Sequence, residues 1–173
     1  MTRVVCDASP LIALGTIGEL DHLTTLTGDL VVLPQIQDEV TTEPARTNLS
    51  RFIDRHQIDT TDPKLHDHVD RANAVLDAST EHGDVYCIAA VLAYTADDRS
   101  IGIISDDRRV RTVADGLGAT VTGTIGVIVR AVDAGLPPAE AKTLVDRLDA
   151  NGLHMTGSLR RTATTLIDEA ADR

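Results

Sequence analysis

The residues able to do chemistry in this chain are carboxylates at the ends of apolar runs. Val4-Val5-Cys6 leads straight into Asp7, and Ile101-Gly102-Ile103-Ile104-Ser105 leads straight into Asp106-Asp107. Each run is of the β-branched kind that forms a strand buried on both faces. An acid in that place sits at the rim of a sheet, where like charges repel unless a cation lies between them. Hard oxygen ligands of this type select Mg2+ or Mn2+ over zinc. Two such ions suit phosphodiester hydrolysis by an activated water. Glu39, on a helix predicted after Pro34, and Asp84, in the first turn of a helix predicted from Glu81, are placed to join the cluster. Glu81 and Asp84 equally suit the positive end of a helix dipole, and that structural role stays open beside the chemical one. One Asp among 21 carries little weight; acids at several element ends on one edge carry more.

The elements that must position these acids alternate between strand and helix. Apolar runs predict strands at 4–6, 30–33, 101–105 and 119–122, with a minor one at 57–60. Between and after them, the 3.6-residue periodicity predicts helices at 9–15, 18–26, 35–42, 49–56, 63–78 and 81–95, then 108–117, 124–134, 138–150 and 156–171. Thr80 is placed to cap the helix from Glu81. This alternation predicts an α/β fold with a central, mostly parallel sheet of about five strands. Ligands of such a sheet bind beyond the carboxyl ends of its strands, where Asp7, Asp106 and Asp107 stand. Residues 137–173 read as a helical extension of a domain formed by 1–136.

Composition limits the alternatives. At 173 residues with 42% apolar content, the chain predicts one ordinary domain with its own core. Aromatic residues are 2%, with no Trp, one Phe (Phe52) and two Tyr (Tyr86, Tyr94), too few for a platform that stacks single-stranded bases. The net charge is −11, from 21 Asp and 6 Glu against 14 Arg and two Lys, Lys64 and Lys142. This usage is that of a salt-loving archaeon's cytoplasmic protein, where surface carboxylates preserve solubility. Molar salt shortens the Debye length to about 3 Å, so overall acidity does not exclude a nucleic-acid partner. Cys6 and Cys87 lack metal-ligand spacing and read as inert buried thiols. The opening stretch is too short for a signal peptide and no run is long enough to span a membrane, so a soluble, cytoplasmic protein without membrane contact is expected. His66-Asp67-His68 looks metal-like, but residues two apart on a helix face different ways. A haloacid-type phosphatase would need an acid where Ser9 stands, and a phospho-receiver a suitably placed Lys.

Five stretches taken in order carry a resemblance: Val4 to Ile12, Leu33-Pro34 through Asp38-Glu39-Val40, Gly83-Asp84 through Ala90, Ile103 through Arg108, and Val121 through Val127. Together they resemble the PIN-domain family, in the branch of PIN-like ribonucleases described mainly as nucleic-acid-binding proteins. The resemblance implies a three-layer α/β/α fold, with 1–136 as the nuclease domain. It implies that Asp7, Glu39, Asp84, Asp106 and Asp107 hold one or two Mg2+ or Mn2+ ions for RNA cleavage. Which of Asp106 and Asp107 is the direct ligand stays open. Asp84 stands where this branch often has Glu. Ser9 matches the family's small hydroxyl residue, a donor that orients a carboxylate or phosphate. Arg108, Arg109 and Arg111 follow the acids and are placed either to reach flanking phosphates or to decorate a solvated helix face, and both readings stay open. The function implied is a metal-dependent endoribonuclease, as the toxin of a toxin–antitoxin pair with a small antitoxin partner, and a homodimer. A non-catalytic module binding RNA or protein, and a nuclease of RNA processing or DNA repair, are the alternatives.

Overall fold

The computed structural model describes residues 2–61, 65–78 and 82–173. Four strands form one parallel sheet: β1 (Arg3–Cys6), β2 (Asp29–Val31), β3 (Ile101–Ile104) and β4 (Thr120–Thr122), in the order β2-β1-β3-β4. Val5 lies opposite Val31 on one side and Ile103 on the other, while Ile104 lies between Cys6 and Thr122. The carboxyl ends are therefore level. The ladder continues past them through Asp7 N–H to the Ile104 carbonyl (2.8 Å) and Ser105 N–H to the Thr122 carbonyl (2.9 Å). The chain leaves β1 toward β2 on one side and later returns to β3 on the other, which makes the β1–β3 seam the switch point of the sheet.

The helices are α1 (Ala8–Ile17), α2 (Pro34–Gln37), α3 (Ala45–His56), α4 (His66–Leu76) and α5 (Gly83–Ala96), then α6 (Arg108–Gly116), α7 (Thr124–Asp133), α8 (Pro138–Ala150) and α9 (Gly157–Ala171). α5 packs on β1 and β3 with α2, α4 and α6 around it, and is buried continuously from Val85 to Leu92. α1, α3, α7, α8 and α9 pack on one another as the second helical layer. Leu144, Leu148 and Ile167 of the last two helices belong to the same buried core as the sheet. No helix among the described residues is long and apolar enough to cross a membrane.

Three expectations are corrected. The fifth strand at 57–60 reduces to a single bridge, Val31 to Asp59, because the Asp59 carboxylate bends the chain by accepting from Thr61 N–H (2.8 Å) and hydroxyl (2.7 Å). The helix expected at 35–42 ends at Gln37. Glu39 and Val40 N–H bond three residues back, and the β-branched Val40-Thr41-Thr42 stretch before Pro44 does not extend a helix. Glu39 thus lies in a turn. The segment expected as a helix at 18–26 is a 3-10 turn at Leu20–Thr25, since Gly18, at φ +76°, ends α1 in the left-handed region. The expected helix start at Pro63, the Thr80 cap and Glu81 lie outside the described residues.

Asp59 also pairs with Arg3 of β1 and so ties the 57–61 strip to the sheet. The Thr61 and Arg3 hydrogen bonds lower its carboxyl to about 2. A lowered carboxyl stabilises the fold above its unfolded value near 3.8, and this contribution is lost as pH falls toward 2. Because the pair is partly solvated, Asp59→Ala is expected to cost about 0.5–1 kcal/mol at pH 7. Urea unfolding of both proteins at pH 7, 4 and 3 checks this, the difference shrinking through the two lower values.

Candidate active site

Asp7 is the buried centre of the site. The residue is 6% exposed. One oxygen accepts from Ala8 N–H at 2.8 Å and so caps α1; the other accepts from the Ser105 hydroxyl at 2.7 Å across the β1–β3 seam. Burial pushes the Asp7 carboxyl up, and the charges of Glu39 and Asp84 push it further, against the opposing pull of Ser105 and Ala8. Glu39 and Asp84 are therefore its electrostatic neighbours.

Glu39 reaches across to the start of α5, where its Oε1 accepts from Gly83 N–H at 2.5 Å. A Cβ on residue 83 would lie 3.0 Å from Glu39 Oε2, so glycine permits this approach. Asp84, in the first turn of α5, is half-buried and accepts from Val85 N–H at 2.8 Å. Asp106 faces the start of α7: Thr124 N–H (2.7 Å) and its hydroxyl (2.6 Å) each bond one carboxylate oxygen. Here too glycine gives room, since a Cβ on residue 123 would lie 2.8 Å from Asp106 Oδ1 and force the carboxylate to shift. Asp107 is exposed and caps α6, accepting from Arg109 N–H (2.7 Å) and Val110 N–H (3.1 Å). The charges of Glu39 and Asp84 thus act on Asp7, while Asp106 and Asp107 turn onto the helices that follow β4 and β3.

Two hydroxyls not predicted as site residues organise the acids. Ser105, fully buried, donates to Asp7 and accepts from Asp107 N–H at 3.1 Å. Thr124, also fully buried, anchors Asp106. Their signal in the sequence was a small hydroxyl next to an acid or at a helix start; their partners lie 98 and 18 residues away. Ser9 is exposed on α1 and lines a cleft with Asp106 and Asp107. Arg108 and Arg109 are exposed in the first turn of α6 and make no ion pair among the described residues. Cys6 and Cys87 are buried and free, and burial pushes both thiols well above their ordinary value, which suits packing and not nucleophilic attack.

None of Asp7, Glu39, Asp84, Asp106 and Asp107 pairs with a basic side chain among the described residues. The donor set is all oxygen and strongly negative, which fits a hard divalent cation in kind. Among the described residues no group of three or more His, Cys, Asp or Glu closes into a metal-holding arrangement. The oxygens are instead turned onto helix N-termini and onto Ser105 and Thr124.

A family model described as a PIN domain matches residues 3–169, almost the whole chain, and the chain belongs to that family. No curated protein matches it individually.

Burying an ionised Asp7 beside two other carboxylates costs stability. Because its folded carboxyl value is raised, the fold is favoured at low pH and loses stability as pH rises through the unfolded value near 3.8 toward the folded one. Asp7→Asn is expected to raise the Tm at pH 7 in the presence of EDTA, with the gain shrinking below pH 4; calorimetry at the two pH values checks this. Ser105→Ala, which strips a hydrogen bond from buried Asp7, is expected to cost about 1–3 kcal/mol.

Proposed function

We propose that this PIN-domain protein is a metal-dependent endoribonuclease that hydrolyses RNA phosphodiester bonds, with Asp7, Glu39, Asp84 and one of Asp106 and Asp107 as the cation's ligands. The observation that carries this reading is the buried Asp7, which meets no basic side chain among the described residues and whose carboxyl is raised by burial and by the charges of Glu39 and Asp84. A protein accepts such a cost where function demands it. A bound Mg2+ or Mn2+ would supply an activated water and balance the charge that grows on the phosphate.

The chain's own residues hold the reactants. Asp7, fixed by Ser105 and Ala8, gives the acidic centre a rigid footing on the sheet. Glu39 and Asp84 close it from the start of α5. Arg108 and Arg109 take the flanking phosphates, which orients the scissile one. Hydrolysis replaces one ester P–O bond by a bond from the water oxygen, leaving a phosphate monoester end and a hydroxyl end.

A non-catalytic module that binds RNA or protein is the second reading, favoured by the absence of a closed three-residue metal group among the described residues. Within the catalytic reading we assign the toxin role in a toxin–antitoxin pair, with a small antitoxin as inhibitor and a homodimer as the working form. A short antitoxin gene beside this one would separate that role from RNA processing or DNA repair.

The test is cleavage of total RNA in strong salt with Mn2+. The wild-type protein is expected to cut, EDTA to stop it, and Asp7→Asn and Asp84→Asn to be inactive while folded. Ser105→Ala is expected to lose about 10- to 100-fold, as the residue that orients a ligand. Cleavage that survives Asp7→Asn refutes the site, and a wild-type protein that binds RNA without cutting it supports the second reading.

A further inference from the structure

A cleft of about 400 Å³ opens beside the acids, between the start of α1 and the turn joining α8 to α9. Ser9, Ile12 and Ala13 form one wall, at the i, i+3 and i+4 positions of a single helix face. Asn151, Gly152 and Leu153 form the facing wall, and Asp106 and Asp107 close the end toward the site. The cleft is therefore apolar where Ile12, Ala13 and Leu153 meet and polar at its rim, within the size range of small-molecule sites.

The far wall is held in place. Arg147 of α8 donates to the Ile17 carbonyl of α1 at 2.7 Å and to Glu19 Oε1 at 2.9 Å. Asn151 Nδ2 donates to the Arg147 carbonyl at 2.7 Å, and Met155 N–H to Asp149 Oδ1 at 3.0 Å. Arg160 of α9 pairs with both Asp146 and Asp149. A wall fixed before binding spares the cost of ordering it.

We propose that this cleft is a nucleobase subsite, seating the base of a nucleotide next to the cut bond; the inference rests on the nuclease reading above. Its occupant must have a flat apolar body with polar edges and be carried on a chain that passes the carboxylates. The phosphates of that chain meet Arg108 and Arg109, which follow Asp107 and are exposed and unpaired among the described residues. Phe52, Tyr86 and Tyr94 are all buried, so no Phe or Tyr ring is available to stack a base. The aliphatic floor takes that part, and the C-terminal helices contribute a wall of the substrate site as well as part of the core.

The test titrates 5′-uridine and 5′-adenosine monophosphates into the methyl-labelled full chain, followed by NMR. Saturable shifts confined to Ile12, Ala13 and Leu153 are expected. Ala13→Leu, which fills the cleft, is expected to raise the dissociation constant about tenfold. Asn151→Asp, an exposed change that adds negative charge at the rim, is expected to weaken binding in a chain whose other resonances stay in place. Shifts elsewhere, no shifts, or unchanged binding in both variants overturn the subsite. So do shifts at these methyls produced by a basic peptide and not by nucleotides, which mark a protein partner. RNA cleavage measured on the same sample separates the two claims. Cutting without nucleotide shifts removes the subsite alone, whereas shifts without cutting remove the nuclease reading and leave a nucleotide site.

Discussion

The interaction on which the site depends is a carboxylate set against the start of a helix. In a parallel sheet, a helix that follows a strand begins at the strand's carboxyl end, so its free N–H groups and positive dipole end gather along one edge. Asp7 meets the start of α1, Glu39 that of α5, Asp107 that of α6 and Asp106 that of α7. Each contact favours its carboxylate locally. The residue whose carboxyl is pushed up is Asp7, first by its burial and then by the charges of Glu39 and Asp84.

This arrangement separates two kinds of acid. Asp107 is exposed and bonds two N–H groups of its own helix, which a cap requires and nothing more. Among the described residues Asp7 bonds one backbone N–H and gives its other oxygen to Ser105, at the end of a different strand. Glu39 is a cap supplied from a distant turn, and it depends on Gly83 for room to approach. The same bonds occupy these oxygens, and among the described residues no three of the acids close into a metal-holding group.

Much of this was legible in the sequence because it is local. Asp7 and Asp106 directly follow apolar runs, and strand–helix alternation gives a parallel sheet whose edge those acids must occupy. What was not legible depends on partners far along the chain. Glu39 bonds Gly83 across 44 residues and Ser105 bonds Asp7 across 98, distances that no periodicity reports. The apolar spacing of Ile36 and Val40 suggested a longer helix, but β-branched residues and Pro44 ended it early. The strand expected at 57–60 was lost to a side chain, since Asp59 is occupied by Thr61 and Arg3 and leaves a single bridge.

The account stands on the acidic centre being built for a divalent cation and not only for capping helices. Calorimetric titration of Mn2+ into EDTA-washed protein in strong salt measures this most directly. Saturable binding of one or two ions by the wild-type chain, lost in folded Asp7→Asn, weakened in one of Asp106→Asn and Asp107→Asn and retained in the other, is the result the account predicts. Equal uptake by the wild-type and Asp7→Asn chains, or none by either, would contradict it.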